Sequence, residues 1–375
     1  MARVLSAFLI YLLVLNISPA DGQSLSQHYP SDSLRYVLRK IGPTLILPIL
    51  VWDCYSKNNY QLIWIGKEGV KTQCDSLISL LKRSYYDGLL PEYYHTSLID
   101  SLVNDSIKPS KGQLSPNFLF KTDVLLTDAF LTYASDLYAG HIHTKSENTE
   151  WEQHISQVNL PDSLEKIFEY GQMTTVINNL ESSHPQYIKL KQALKKQIEG
   201  HTNNNSTPSL KYIFSNTTLS DTVEHLKQLV VNMERWRRQP HNMPQPYIMI
   251  NIADFTMNVT DSEKNVLNMK IIVGKYYTRT PLFHSTMTYL VLNPFWEIPP
   301  KIARNEILPE VRKNKKYLAE NNMEIYDSWD AHANKICPDS VHWDSLSPGK
   351  LIYHFRQLPG PQNALGHIKF MLPNK

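Results

Sequence analysis

The side chains with the greatest chemical potential in this 375-residue chain are its three cysteines, Cys54, Cys74 and Cys337. A thiol becomes a nucleophile when a histidine or a helix N-terminus lowers its pKa and nearby backbone N–H groups can hold an oxyanion. Cys337, in NKICPDS, has His332 and His342 close by in sequence. Pro338 follows directly and has no N–H to donate, and no glycine adjoins the thiol to let a substrate approach. Cys337 therefore reads as a buried or loop thiol, with a hydrolase built on it as the catalytic competitor. Three cysteines cannot all pair within one chain, which excludes a disulfide scaffold; Cys54 and Cys74 could bridge, and their spacing leaves that open.

Histidines at i and i+2 share one face of a strand, so His141 and His143 could begin a metal site. No third ligand stands near them, and a histidine just past a helix C-terminus is favoured by the dipole without a metal. No metal ligand is assigned. The basic run RKNKK (Arg312–Lys316), set amid Lys301 and Arg304 and diluted by Glu306 and Glu310, reads as a solvated helix face, with attraction to an anionic wall polymer as the weaker reading. ERWRR (Glu234–Arg238) could stack a ligand on Trp236 between arginines; an aromatic anchor at a domain junction is the better account.

The elements that must position these groups begin with an export signal. Arg3 precedes an apolar stretch, Val4–Ile17, too short for a membrane span, and SPA or ADG supplies small-residue cleavage sites. Residues 1–22 are read as a signal peptide, and no cysteine follows that could carry a lipid. The stretch IGPTLILPILVW holds two prolines and reads as buried core. The mature chain of roughly 350 residues suits two domains. A net charge of +3 is too small to imply a polyanionic partner, and with the export signal it argues against nucleic acid.

The first half is helical. TDVLLTDAFLTYASDLYAG puts Leu126, Ala129, Phe130, Tyr133 and Leu137 on one stripe, with acids near its start and Gly140 as its stop. QCDSLISLLKRSYYDGLLPEYY and HPQYIKLKQALKKQIEG give further helices, and another runs from about Ser220 to Pro240. From Tyr247 the period changes to two: Phe255, Met257 and Val259 alternate with polar residues, TDSEKN is a hairpin turn, and VLNMKIIVG and STMTYLVLN are strands. Pro300 opens a small helical insert over 300–330. The fold class is α+β, with a helical domain over 23–240 and a β-rich domain over 245–375, their boundary near Pro240–Pro246.

The segment TRTPLFHSTMTYLVLNPFWEIPPKIARNEILPEV (Thr278–Val311) resembles the large, scaffold-bearing branch of the L,D-transpeptidases, bacterial enzymes that cross-link peptidoglycan. Its strand runs into Asn293-Pro294-Phe295-Trp296, then a proline-initiated helix and the Glu306–Pro309 stop. VGKYYTRTP and GPQNALGHIKFMLPN are similar to flanking family strands, YYDGLLPEYY and LTDAFLTYASDLYAGHI to its helical scaffold, and NMERWRRQP to the link between the two. The stretch between His201 and Thr222 is too short for the small peptidoglycan-binding module many members carry before that link.

The resemblance implies a cofactor-free cysteine acyltransferase acting on peptidoglycan stem peptides. A thiolate attacks a tetrapeptide carbonyl, expels the terminal D-Ala, and passes the thioester to a neighbouring amine. The family places the thiol in a Ser-His-Gly-Cys-x-Arg motif after the strand that ends KFMLPN, and no SHGC occurs in these 375 residues. The expectation is thus a domain cut short before its catalytic histidine and cysteine, inactive as given and with no catalytic residue assigned. Asn363, Gly366 and Lys369 are candidates to line the substrate cleft. The implied location is the bacterial periplasm, and oligomeric state is left open. The competing reading is a non-catalytic envelope protein that holds peptidoglycan or a protein partner.

Overall fold

A computed structural model describes residues 31–66, 69–107, 115–142, 158–202, 221–241, 243–330, 332–347, 349 and 351–373. The expected signal peptide, His143 and nearly all of the 201–222 stretch lie outside the described residues. Chain contacts divide the structure into two units that meet in sequence at Pro281 and Leu282. No helix among the described residues is long and apolar enough to cross a membrane.

The first unit is built from α1 (Ser31–Ile41), α2 (Pro48–Lys57), a small antiparallel pair β1 (Ile65–Gly66) and β2 (Gly69–Val70), α3 (Thr72–Lys82), α4 (Thr96–Ile107), α5 (Pro116–Ala139), α6 (Leu160–Tyr170), α7 (Met173–Leu180), α8 (Pro185–Thr202) and α9 (Asp221–Arg237). Helix α5 is its centre. Ser115 caps it by accepting the Phe118 N–H, Pro116 occupies the first turn, and Gly140 ends it. The expected stripe of Leu126, Ala129, Phe130, Tyr133 and Leu137 is buried.

The acids of α5 do something other than the expected service to the helix dipole. The helix starts at Pro116, so Asp123 and Asp128 sit well inside it, and both are fully buried. Asp123 accepts hydrogen bonds from the backbone N–H groups of Ile63 (2.9 Å), Trp64 (2.8 Å) and Ile65 (2.9 Å) and from the Tyr55 hydroxyl (2.6 Å). Asp128 accepts from the N–H groups of Ile46 and Leu47. Two carboxylates thus satisfy five backbone donors, at Ile46, Leu47, Ile63, Trp64 and Ile65. The IGPTLILPILVW stretch is only partly core: Leu45 and Val51 are buried, but Pro48 starts α2 and turns Ile49 out to 83% exposure.

The same unit holds an antiparallel sheet of β3 (Tyr247–Asn251), β4 (Thr256–Asp261) and β5 (Lys264–Lys270). The β4–β5 turn is Ser262-Glu263, both at positive φ as a tight hairpin requires.

The second unit pairs β6 (Tyr289–Leu292) with β11 (Ile368–Met371) and builds a four-stranded antiparallel sheet in the order β7 (Trp296–Ile298), β10 (His354–Gln357), β8 (Met323–Tyr326), β9 (Lys335–Ile336). A helical run packs on that sheet: α10 (Pro300–Ile302), a π turn over Ala303–Ile307, α11 (Leu308–Lys313) and α12 (Tyr317–Glu320). The π turn precedes Pro309, whose missing N–H removes a rung of the helix. The insert expected over 300–330 is helical only to Glu320. Asn322, in left-handed backbone, ends it, and Met323 and Ile325 alternate inward as a strand. On β11 and just beyond it, Ile368, Phe370 and Leu372 are all substantially exposed.

Candidate functional site

The second unit gathers its polar side chains around the turn that leaves β6. Asn293 takes left-handed backbone (φ 47°), which asparagine tolerates, and its N–H donates to the carbonyl of His367 at 2.8 Å. That bond joins the Asn-Pro-Phe-Trp turn to the loop between β10 and β11. Asn363, buried in this loop, closes the joint. Its Nδ2 donates to the carbonyls of Leu358 (3.0 Å) and Pro294 (3.1 Å), while its Oδ1 accepts the Leu365 N–H (2.8 Å). Gln357 supports it: Nε2 donates to the carbonyls of Asn321 and Gln362, and Oε1 accepts from the Ala364 N–H.

The three cleft candidates therefore fall in three settings. Asn363 lies in the interior of the joint, with both amide atoms engaged by backbone. Gly366 is in left-handed backbone (φ 68°) beside open space. Lys369 is exposed on β11, opposite Val291 of β6. Next to the turn, Arg356 forms an ion pair with Glu297 at 2.7 Å and lies over the rings of Phe295 and Tyr326, which fixes the β7–β10–β8 surface electrostatically.

A cavity of about 250 Å³ opens where α10 and the π turn meet the β10 end of the sheet, with Arg304, Trp329, Tyr353 and His354 in its wall. Sequence reasoning placed Arg304 only within a dilute basic cluster and passed over the other three. They meet because β8 and β10 pair, bringing Trp329 to within 4.5 Å of the His354 ring. No local sequence pattern encodes that meeting.

The remaining sequence candidates divide into free thiols and side chains with structural partners. Cys337 is exposed and free, and no histidine hydrogen-bonds its thiol among the described residues. Cys54 and Cys74 are both buried and free rather than bridged, and burial pushes each thiol up to about 12. His141 hydrogen-bonds Asp136 at 2.7 Å and stacks on Tyr93. Within RKNKK, Arg312 is a staple to the carbonyls of Trp343 and Leu346, whereas Lys313 and Lys315 make surface ion pairs with Glu310 and Asp344. In ERWRR, Trp236 stacks on His184 at 4.0 Å, and Arg237 is buried against the Asp87 carbonyl and the Tyr187 hydroxyl.

Comparison with known proteins places two domains on the chain in order: a scaffold domain over residues 50–194 and an L,D-transpeptidase catalytic domain over residues 245–375. A Haemophilus influenzae protein named "Putative L,D-transpeptidase" is 27% identical over 259 residues, which is 67% of this chain and 47% of that protein. The chain thus spans about half the length of the curated relative it matches.

Proposed function

Since the chain belongs to the L,D-transpeptidase family, we propose that it serves peptidoglycan cross-linking in the bacterial cell envelope, reaching the periplasm by an N-terminal signal peptide. The observation that carries the reading is the order of scaffold and catalytic domains on one chain, with the β6 turn and its proline-started helix formed as a packed unit. In this reading the stem peptide is the substrate. The thiol that would attack it belongs to the family's Ser-His-Gly-Cys motif, which does not occur within residues 1–375. Thiolate attack on the tetrapeptide carbonyl would form a thioester as the C–N bond to the terminal D-Ala breaks. The leaving amine takes up a proton, and a neighbouring stem's amine then displaces the thiol. Cys54 and Cys74 are unsuited to that attack: both are buried, and their raised pKa keeps them protonated.

The test is calorimetric titration of the 375-residue chain with a disaccharide-tetrapeptide, alongside mass spectrometry of products. Saturable binding without cross-linked product is the expected result. Cross-linked stems would overturn the expectation that these residues are inactive alone, and failure to bind muropeptides would overturn the peptidoglycan reading.

A further inference from the structure

The cavity in the second unit has a chemistry of its own. Its floor is apolar, from Ile298, Ala303 and Leu351, and Trp329 forms a half-exposed aromatic wall held edge-on against His354. Arg304 lines it, and no acidic residue does so among the described residues. Its guanidinium has no carboxylate partner among them, whereas Arg356, two residues beyond His354 on β10, is paired with Glu297. A guanidinium left unpaired above an apolar pocket complements a ligand with a small hydrophobic body and a carboxylate, which it can grip with two parallel N–H bonds. At about 250 Å³ the space suits one or two small residues rather than a sugar pair.

We propose that this cavity binds the free C-terminal carboxylate of a peptide ending in a small residue, with Arg304 holding the carboxylate and the residue's side chain lying against Ile298 and Ala303. Resting on the proposed function, the ligand is the D-alanine end of a stem peptide, so the pocket docks a stem by its terminus.

The experiment is an NMR titration of the full 375-residue chain with an acetylated dipeptide ending in D-alanine, as free acid and as C-terminal amide. The Trp329 indole signal, assigned with Trp329→Phe, is the readout. The acid should shift that signal saturably, and the amide should bind about tenfold more weakly or less. Arg304→Gln, a change at an exposed position, should weaken the acid by about tenfold and leave the amide unchanged. Equal affinity for acid and amide, indifference to Arg304→Gln, or an unshifted Trp329 would each overturn the proposal. The muropeptide calorimetry separates the two readings. Muropeptide binding with Trp329 unmoved removes the pocket and spares the substrate class. Dipeptide binding without muropeptide binding keeps a carboxylate pocket and removes peptidoglycan as its source.

Discussion

Replacing Asn363 tests whether this residue shapes the joint between the β6 turn and the β10–β11 loop or contacts substrate. Asn363→Ala strips the carbonyls of Pro294 and Leu358 and the N–H of Leu365 of their partner, at distances of 3.1, 3.0 and 2.8 Å. With a net loss of about 1 kcal/mol for each buried hydrogen bond, and more where a group stays dry, the cost is about 2–4 kcal/mol. Asn363→Asp keeps the shape but turns a donor into an anionic oxygen about 3 Å from two carbonyl oxygens, so it should cost more at neutral pH. That carboxyl is held above its unfolded pKa of about 3.9 by the facing carbonyls. The folded state then binds the extra proton, so stability is present below the unfolded pKa and is lost as pH rises through the folded one. Urea unfolding followed by tryptophan fluorescence, at a slope of about 2 kcal/mol per molar urea, should show the Asn363→Ala midpoint lowered by about 1–2 M. An Asn363→Asp midpoint equal to wild type from pH 4 to 8 would refute the joint. An Asn363→Ala chain of unchanged stability that loses muropeptide binding would place the side chain in the cleft instead.

Gly140→Ala should cost about 2–3 kcal/mol, because its backbone is left-handed (φ 88°) and the new Cβ would stand 2.6 Å from the Glu234 Oε1 that accepts the Ile142 N–H. Gly171→Ala meets only the milder αL penalty (φ 68°, ψ 12°, against ψ 156° at Gly140) with open space around it and should cost about 1 kcal/mol; equal losses in urea would discount both the clash and the harsher backbone at Gly140. Asp123 should make stability fall with rising pH between about 4 and 6. Burial outweighs its hydrogen bonds and pushes its carboxyl from 3.8 to about 6, worth about 3 kcal/mol in all, and Asp123→Asn should flatten that slope. A thiol reagent at pH 8 should titrate one cysteine, Cys337, in the native chain, with Cys54 and Cys74 reacting only on unfolding; three native equivalents would contradict their burial.

What the sequence disclosed was local. The α5 stripe and its Gly140 stop follow from a 3.6-residue period and one terminator, and the β4–β5 hairpin follows from alternation around a polar turn. What it hid was non-local. Asp123 looks like a helix-start acid until the chain 58 to 60 residues earlier brings three N–H groups to it. Met323–Tyr326 reads as the tail of a helical insert because four residues are too few to establish a period, and only pairing with β10 makes them a strand. Of the candidate site, the Asn293–Trp296 turn and the Asn363 loop were legible as segments. The engagement of the Asn363 amide, and the convergence of Arg304 with Trp329 and His354, depend on strand register, which no single stretch specifies.

The helix that precedes the catalytic domain in sequence shows why an arginine stands where a lysine would keep the charge. Arg237 is fully buried near the end of α9, with Asp87, Glu234 and Tyr187 around it, and Lys191 lies close by between Asp87 and Glu181. Dehydrating so many charges is unfavourable, and their mutual attraction recovers little more than that cost, so the cluster is a poor source of net stability. Its geometry is the more useful property. A planar guanidinium meets the Asp87 carbonyl and the Tyr187 hydroxyl from one nitrogen and approaches Glu234 with another, which constrains both the rotation and the position of α9. Glu234 in turn accepts the Ile142 N–H, at a point where only Gly140 leaves room for its carboxylate. A lysine could satisfy one of these partners at a time and would leave α9 free to turn. Arg237→Lys should therefore loosen the end of α9, read as faster amide exchange over residues 230–237, while exchange in α5 stays near wild type.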